Sequence, residues 1–256
     1  RDDLRLTVQR AVEAYQMQCM IDAHMQALER EVQARTEELA ERNRQLEAAL
    51  HELEHAARTD PLTGLKNRRY FDDSIDADLA LAAGSTGERD LCFFLIDVDH
   101  FKRINDTHGH TVGDQVLAEI AGRLRVAIRP GDVALRWGGE EFLIMARCLP
   151  RAAAPAYAEM LRHCIAVAPL QTAATTIAVT ASIGFAAFPL RAAPTDWSAV
   201  LALADFAMYA SKRHSRDAWA GFCEVEDWAP GLALQDTRIE RQLLTSWQGG
   251  VHVARA

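Results

Sequence analysis

No proline or glycine occurs before Pro61, and the stretch ahead of it is rich in Glu, Arg, Gln, Ala and Leu. A run of that length without a helix breaker has one regular solution, a single long helix over residues 1–58. Its second half carries a heptad pattern. Met25, Val32, Leu39, Leu46 and Leu53 fill one seam position, and Thr36, Asn43, Leu50 and Ala57 fill the other. This pattern predicts a parallel two-stranded coiled coil, the alternative being an amphipathic helix packed on its own domain. Asp22, Glu29, Thr36 and Asn43 fall where apolar residues would stabilise the seam most. A seam weakened in this way can slip, so the helix is expected to transmit a signal by changing register. A disulfide locking one seam position tests this, and an unchanged output from the rest of the chain would refute it.

The helical pattern ends at Thr59-Asp60-Pro61-Leu62-Thr63-Gly64-Leu65, where proline prevents continuation and glycine offers a left-handed residue. A second helix is expected from Asn67-Arg68-Arg69-Tyr70-Phe71 to about Ala83, followed by a polar loop, Gly84-Ser85-Thr86-Gly87. Leu91-Cys92-Phe93-Phe94-Leu95-Ile96 is a continuous apolar run of strand length, the mark of a central strand covered on both faces. It ends in Asp97-Val98-Asp99, and acids there are well placed to hold a cation at the sheet's edge. Phe101-Lys102-Arg103-Ile104-Asn105-Asp106 follows, then Gly109-His110 and Gly113-Asp114 lead into a helix through Leu117, Ile120, Leu124 and Ile128. Lysine offers a point charge for phosphate, and an Asn with an Asp can pair with the donor-and-acceptor edge of a purine such as guanine.

Two further apolar runs, Val133-Ala134-Leu135 and Phe142-Leu143-Ile144-Met145, flank Gly138-Gly139-Glu140-Glu141. The segment reads as a hairpin whose tight turn carries acid, and the plain alternative is a solvated turn. Glycine pairs permit positive φ and close approach of a phosphate, while acids without a lysine beside them suit a hard cation such as Mg2+.

Taken together, the 60–69, 97–114 and 138–142 motifs resemble those of the GGDEF-domain diguanylate cyclases, in that family's order and spacing over about residues 58–222. The resemblance implies an α/β (α+β) nucleotide-cyclase-like fold, with a mainly antiparallel central sheet flanked by helices and preceded by the coiled-coil helix. It implies synthesis of cyclic di-GMP from two GTP with release of pyrophosphate. Asp97 and Glu140 would then be the catalytic and metal carboxylates, with the Val98 carbonyl a further ligand for two Mg2+ per active site, Mn2+ being an alternative. Asn105 and Asp114 would read guanine. Lys102, Lys212 and Arg216 would neutralise the triphosphate, with His110, Gly138 and Gly139 beside the nucleotide. Arg129 and Asp132, five residues ahead of the glycine pair, match the family's inhibitory product site, with Arg162 a candidate for a further contact. The chain departs from the family's usual form at Ser211, Ser215 and Asp217, which stand where Ala, Gly and Asn are common. Ser182-Ile183-Gly184 matches a family strand motif and is read as close strand packing at Gly184.

The division expected is a signalling helix over 1–58, a cyclase domain over 59–223 and an extension over 224–256. In the extension, Trp228, Trp247 and Leu243-Leu244 suggest a short packed helix or tail. A helix ending in Lys212 and a helix following Pro155 are also expected, and Thr175 to Ala187 reads as one strand. The first residues, Asp2-Asp3-Leu4-Arg5-Leu6-Thr7-Val8, resemble the last helix of response-regulator receiver domains. An upstream sensory or receiver module is therefore expected, on a chain beginning at Arg1 that reads as part of a longer protein.

The chain of 256 residues has a formal net charge of −8, which argues against an extended nucleic-acid surface as a partner. Its five cysteines, Cys19, Cys92, Cys148, Cys164 and Cys223, lack paired spacing and read as reduced, buried thiols of a cytoplasmic protein. A membrane anchor, if present, would lie upstream. GTP, cyclic di-GMP and a second copy of the chain, joined through the first helix, are the partners implied. A catalytically silent GTP or cyclic di-GMP sensor and a dimerisation scaffold are the competing readings.

Overall fold

The alternation of side chains along one strand organises the domain. In the computed structural model, which describes residues 2–83, 90–171, 175–189, 196–223, 243–245 and 252–253, β2 (Asp90–Val98) is buried at every position. Successive side chains of a strand point to opposite faces. Cys92, Phe94 and Ile96 therefore enter one apolar layer with Ile120, Leu124, Leu161 and Ile165. Leu91, Phe93 and Leu95 enter the other, with Phe71, Ile75, Leu203 and Ala207. Truncating a side chain as enclosed as Phe94 to alanine costs about 3–5 kcal/mol.

The elements run α1 (Asp2–Arg58), β1 (Lys66–Asn67), α2 (Arg68–Ala83), β2, α3 (Phe101–His108), α4 (His110–Ala127), β3 (Val133–Gly138) and β4 (Glu141–Leu149). A 3-10 turn then leads into α5 (Ala154–Ala166), β5 (Leu170–Gln171), β6 (Thr176–Ile177), β7 (Ala181–Phe188), α6 (Trp197–His214), β8 (Ala218–Phe222), β9 (Leu244–Thr245) and β10 (His252–Val253). The main sheet has the order β1-β3-β4-β2-β7-β8-β9-β10. Its pairs are antiparallel except β1 with β3 and β7 with β8. This is the mainly antiparallel, helix-covered sheet expected.

The chain divides into two units, Arg1–His55 and Ala56–Ala256. In the first, Met25, Val32, Leu39, Leu46, Leu50 and Leu53 are all more than 45% exposed, so α1 carries an apolar seam with no core of its own. Gln33 with Glu37 and Arg35 with Glu31 bond one turn apart along its polar face. No helix among the described residues is long and apolar enough to cross a membrane.

Four local expectations change. The stretch read as one strand from Thr175 breaks into β6, which pairs with β5 in a separate two-stranded sheet, and β7. Between them Thr180 turns to bond Asp99. Helix α4 begins at His110, directly after Gly109 at φ 83°, so Gly113 and Asp114 lie within it rather than ahead of it. Cys148 is exposed rather than buried, because an irregularity in the pairing of β2 with β4 between Asp90 and Cys92 lifts it out of the ladder with φ 50°. None of the five cysteines is joined in a disulfide, Cys19 being exposed, Cys92 buried, and Cys164 and Cys223 half-buried. Leu243 is buried in the α6-side layer and Leu244–Thr245 adds a strand to β8 instead of a helix. The Gly84–Gly87 loop, Trp228 and Trp247 lie outside the described residues.

At Gly184 the backbone of β7 lies directly against α6. A Cβ there would fall 2.0 Å from the Ala204 carbonyl oxygen and 2.2 Å from the Met208 nitrogen. The bare backbone lets α6 lie flat on the sheet, with the buried Ser211 hydroxyl donating to the Ile183 carbonyl at 3.1 Å. That contact sets the height at which the end of α6 reaches the end of β2.

Candidate active site

Asp97 takes the α6-facing side of β2 because it continues the alternation of Leu91, Phe93 and Leu95. There Lys212, in the last turn of α6, meets its Oδ2 at 2.7 Å. Across the sheet Asp97 pairs with Glu141, and the next amide, Val98 N–H, donates to the Glu140 carbonyl at 3.3 Å. The hairpin turn is thus stitched to the end of β2, and Asp97 and Glu140 are brought into one electrostatic neighbourhood. Burial pushes the Asp97 carboxyl up from its ordinary value, with Lys212 opposing and Asp99 adding to the shift. Burial and then the Asp97 charge raise Glu140, and the same two causes raise Glu141. Three carboxylates gather around Lys212, with Arg216 acting on Asp97 as well, and a divalent ion would relieve their mutual repulsion.

Among the described residues no three His, Cys, Asp or Glu side chains gather into an enclosed metal site. The donor set still fits Mg2+, which binds through one or two carboxylates together with substrate phosphates rather than in an all-protein cage. Asp97, Glu140 and the Val98 carbonyl are the groups that would hold it.

The turn itself is braced by Arg136. Its Nη2 and Nε donate to the Gly139 carbonyl at 2.8 and 3.2 Å, while Nη1 donates to both Asp60 oxygens at 3.3 and 3.2 Å. Asp60 also accepts from the Thr63 amide and hydroxyl. Neither Gly138 nor Gly139 adopts the left-handed backbone that glycine pairs permit, and a Cβ on Gly139 would meet nothing within 4 Å. The fold itself makes no demand for glycine at Gly139.

Beside this edge, Lys102 and Asn105 lie one turn apart on α3, and His110 and Asp114 one turn apart at the start of α4. Lys102, His110 and Asp114 are exposed. The Asn105 Oδ1 is buried without a hydrogen-bond partner, and a Cβ on Gly113 would come within 1.9 Å of it. The missing side chain lets the oxygen pack against the Gly113 backbone, where it is an acceptor with its hydrogen bond unmet.

On the far end of the hairpin, Arg129 and Asp132 form a closed pair. Asp132 Oδ2 accepts from Arg129 Nε at 3.1 Å and from the Tyr157 hydroxyl at 2.6 Å, and Oδ1 accepts from the Arg147 amide at 3.0 Å. The Arg129 guanidinium lies 5.4 Å from the centre of the Tyr157 ring. Only the cation is exposed, the Asp132 side chain being 2% accessible. Arg162 does not join them. It is held by Glu159 and by Asp217 at the end of α6.

Asp99 differs from the expectation that both acids ending β2 suit a cation. Its oxygens accept from the Thr180 hydroxyl, the Ser182 hydroxyl and the Asp217 amide at 2.7, 2.7 and 2.9 Å. It is a fastener between β2, β7 and the turn after α6. Tyr157, Arg147 and the Asp60–Arg136 brace also go unassigned by sequence. Asp60 opens one motif and Arg136 stands two residues ahead of another, whereas nothing near Tyr157 marks it.

The helix-covered sheet, with an acidic hairpin stitched to the end of its central strand, defines a mixed α/β domain of the GGDEF fold. A family model described as the diguanylate cyclase GGDEF domain matches residues 57–218, and the chain belongs to that family. It is 34% identical over 235 residues to diguanylate cyclase DgcP of Pseudomonas aeruginosa, spanning 84% of this chain and 34% of that protein. It is 36% identical over 196 residues to response regulator PleD of Caulobacter vibrioides, spanning 75% of this chain and 42% of that one. The chain therefore spans between a third and a half of the length of these curated relatives. Among solved structures, it resembles the coiled coil and GGDEF domain of DgcB from Caulobacter crescentus in complex with c-di-GMP, with TM-score 0.65 and 33% identity over 73% of this chain and 96% of that one. Diguanylate cyclase SiaD from Pseudomonas aeruginosa, solved with its activator SiaC, gives a TM-score of 0.60 at 28% identity, over 83% and 80% of the two chains.

Proposed function

We propose that this chain is an active diguanylate cyclase that joins two GTP into cyclic di-GMP with release of pyrophosphate. The observation that carries the reading is the Val98 to Glu140 backbone bond, which gathers Asp97 and Glu140 at one edge beside Lys212. A silent sensor of GTP would have no use for two carboxylates with raised proton affinity against a phosphate-binding lysine.

Asn105, whose amide can accept and donate, and the Asp114 carboxylate, which accepts, read the guanine edge, the unpartnered Asn105 Oδ1 being an acceptor for a guanine donor. Lys102, Lys212 and Arg216 neutralise the triphosphate, Lys212 exchanging its ion pair with Asp97 for phosphate oxygens as substrate enters. His110 stands at the nucleotide's side, and the bare Gly138-Gly139 turn admits the phosphates. Asp97, Glu140 and the Val98 carbonyl would hold Mg2+, two ions per site with Mn2+ as a substitute, and the ions would acidify the 3′-hydroxyl and offset charge on the leaving pyrophosphate. Glu140 is the carboxylate we nominate to receive the 3′-hydroxyl proton.

Each hairpin presents one GTP, so forming two phosphodiester bonds takes two sites facing one another. The exposed seam of α1 supports a homodimer that raises the local concentration of the second site. Product returning to Arg129 and Asp132 would inhibit, by stacking on and forking to the exposed guanidinium. We place the domain in the cytoplasm, below a sensory or receiver module, with residues 1–58 as the signalling helix and 59–223 as the catalytic part.

Glu140→Gln tests the assignment. Turnover of GTP should fall by about a hundredfold or more while a GTP analogue that cannot be cleaved binds within severalfold of the parent. Retained turnover would remove Glu140 from the reaction.

A further inference from the structure

The turn that ends α6 is under strain. Arg216 and Asp217 both occupy left-handed backbone, at φ 55° and 42°, without being glycine. Such residues persist only where surrounding contacts over-determine them. The Arg216 amide is bonded to the Ser211 carbonyl at 3.1 Å, and the Asp217 amide to the buried Asp99 at 2.9 Å. The Asp217 side chain is gripped in turn by Arg162 Nη1 at 2.6 Å. Arg162 is set for this on α5 by Glu159, which accepts from its Nε at 3.1 Å and Nη2 at 2.7 Å and is itself fixed by Trp219 Nε1 at 3.0 Å. Asp99 and Arg162 thus hold one two-residue turn from two different elements, and that turn aims Arg216.

We infer that Arg162 is a positioning residue for the triphosphate site: from α5 it clamps Asp217 and so keeps the strained turn that presents Arg216. The inference rests on the reading of Arg216 as a phosphate-binding cation. It also bears on one local departure from the family's form, because Asp217, one of the two left-handed residues, stands where Asn is common, and its carboxylate supplies the charge that Arg162 grips. The same geometry takes Arg162 away from the product site, since its donors are committed to Glu159 and Asp217.

The test is Arg162→Gln in the full chain, with steady-state kinetics on GTP and equilibrium binding of a methylene-bridged GTP analogue. KM and the analogue's Kd should each rise about fivefold, as for loss of one partly exposed ion pair, with kcat and the half-inhibiting cyclic di-GMP concentration within about twofold of the parent. Asp217→Gly should restore analogue affinity in the Arg162→Gln background, and in an Asp217→Gly background Arg162→Gln should have no further effect. That second comparison holds even if the single variant folds poorly. An unchanged KM and Kd, a shift confined to product inhibition, or failure of Asp217→Gly to restore binding would each overturn the inference. If the parent chain forms no cyclic di-GMP at all, the cyclase reading falls, and the analogue-binding comparison still decides the clamp.

Discussion

Arg136 holds Asp60 at 3.2 Å with one end of its guanidinium and the Gly139 carbonyl at 2.8 Å with the other. The turn that follows α1 and the turn that carries Glu140 are therefore fastened to the same side chain. Burial raises the Asp60 carboxyl, but the Thr63 bonds and Arg136 outweigh it and hold it below its ordinary value. A carboxylate lowered in this way stabilises the fold above its unfolded pKa, and the contribution is lost as pH falls through the folded value. Asp60→Asn should cost about 1 kcal/mol in urea unfolding at pH 7, discounted for partial solvent access, and the difference from the parent should shrink toward pH 3. A difference that grew with acidity would contradict the brace.

Glu140→Gln should have the opposite sign. With its carboxyl raised by burial and by Asp97, the ionised form is disfavoured in the folded chain. Above both pKa values this costs stability, and the cost disappears as the group is protonated at lower pH. Thermal melts in chelator should show Glu140→Gln melting higher than the parent at pH 8 and level with it near pH 4. A variant destabilised at pH 8 would mean that the carboxylate is satisfied within the free chain.

Gly113→Ala tests the guanine pocket from behind. The added Cβ would land 1.9 Å from Asn105 Oδ1, and the Phe101 ring at 3.2 Å blocks one direction of retreat. Asn105 should swing off its position, raising KM for GTP about tenfold with a smaller change in kcat, the pattern of lost ground-state binding. Steady-state kinetics at saturating Mg2+ read this. Equal KM in parent and variant would show that Asn105 is free to move without consequence.

Tyr157→Phe removes the 2.6 Å bond to Asp132 while leaving the ring that Arg129 packs on. Loss of one hydrogen bond to a carboxylate is worth about 1 kcal/mol, so the half-inhibiting concentration of cyclic di-GMP should rise about fivefold. Uninhibited turnover should stay as it is. Inhibition unchanged in Tyr157→Phe would indicate that Asp132 is fixed well enough by Arg129 and the Arg147 amide.

Much of this was legible in the chain because it is local. The apolar run at Leu91, the acids that end it, and the glycine pair between two strand-forming stretches each report their own geometry. What stayed hidden depends on partners far away in sequence. Asp99 looks like its neighbour Asp97 until Thr180, Ser182 and Asp217 are folded onto it. Cys148 looks like a strand residue until the pairing irregularity turns it outward. Gly113 reads as leading into a helix, and its place inside α4 makes sense only once Asn105 lies across it. Arg162 was a candidate for a further product contact by resemblance alone, and nothing in its own helix reveals its bond to Asp217.

The most direct measurement is product analysis of the purified chain incubated with GTP and Mg2+. Cyclic di-GMP should form, with two pyrophosphates for each molecule, and Asp97→Asn should give no product. GTP bound but left intact, or pyrophosphate released without the cyclic dinucleotide, would contradict it.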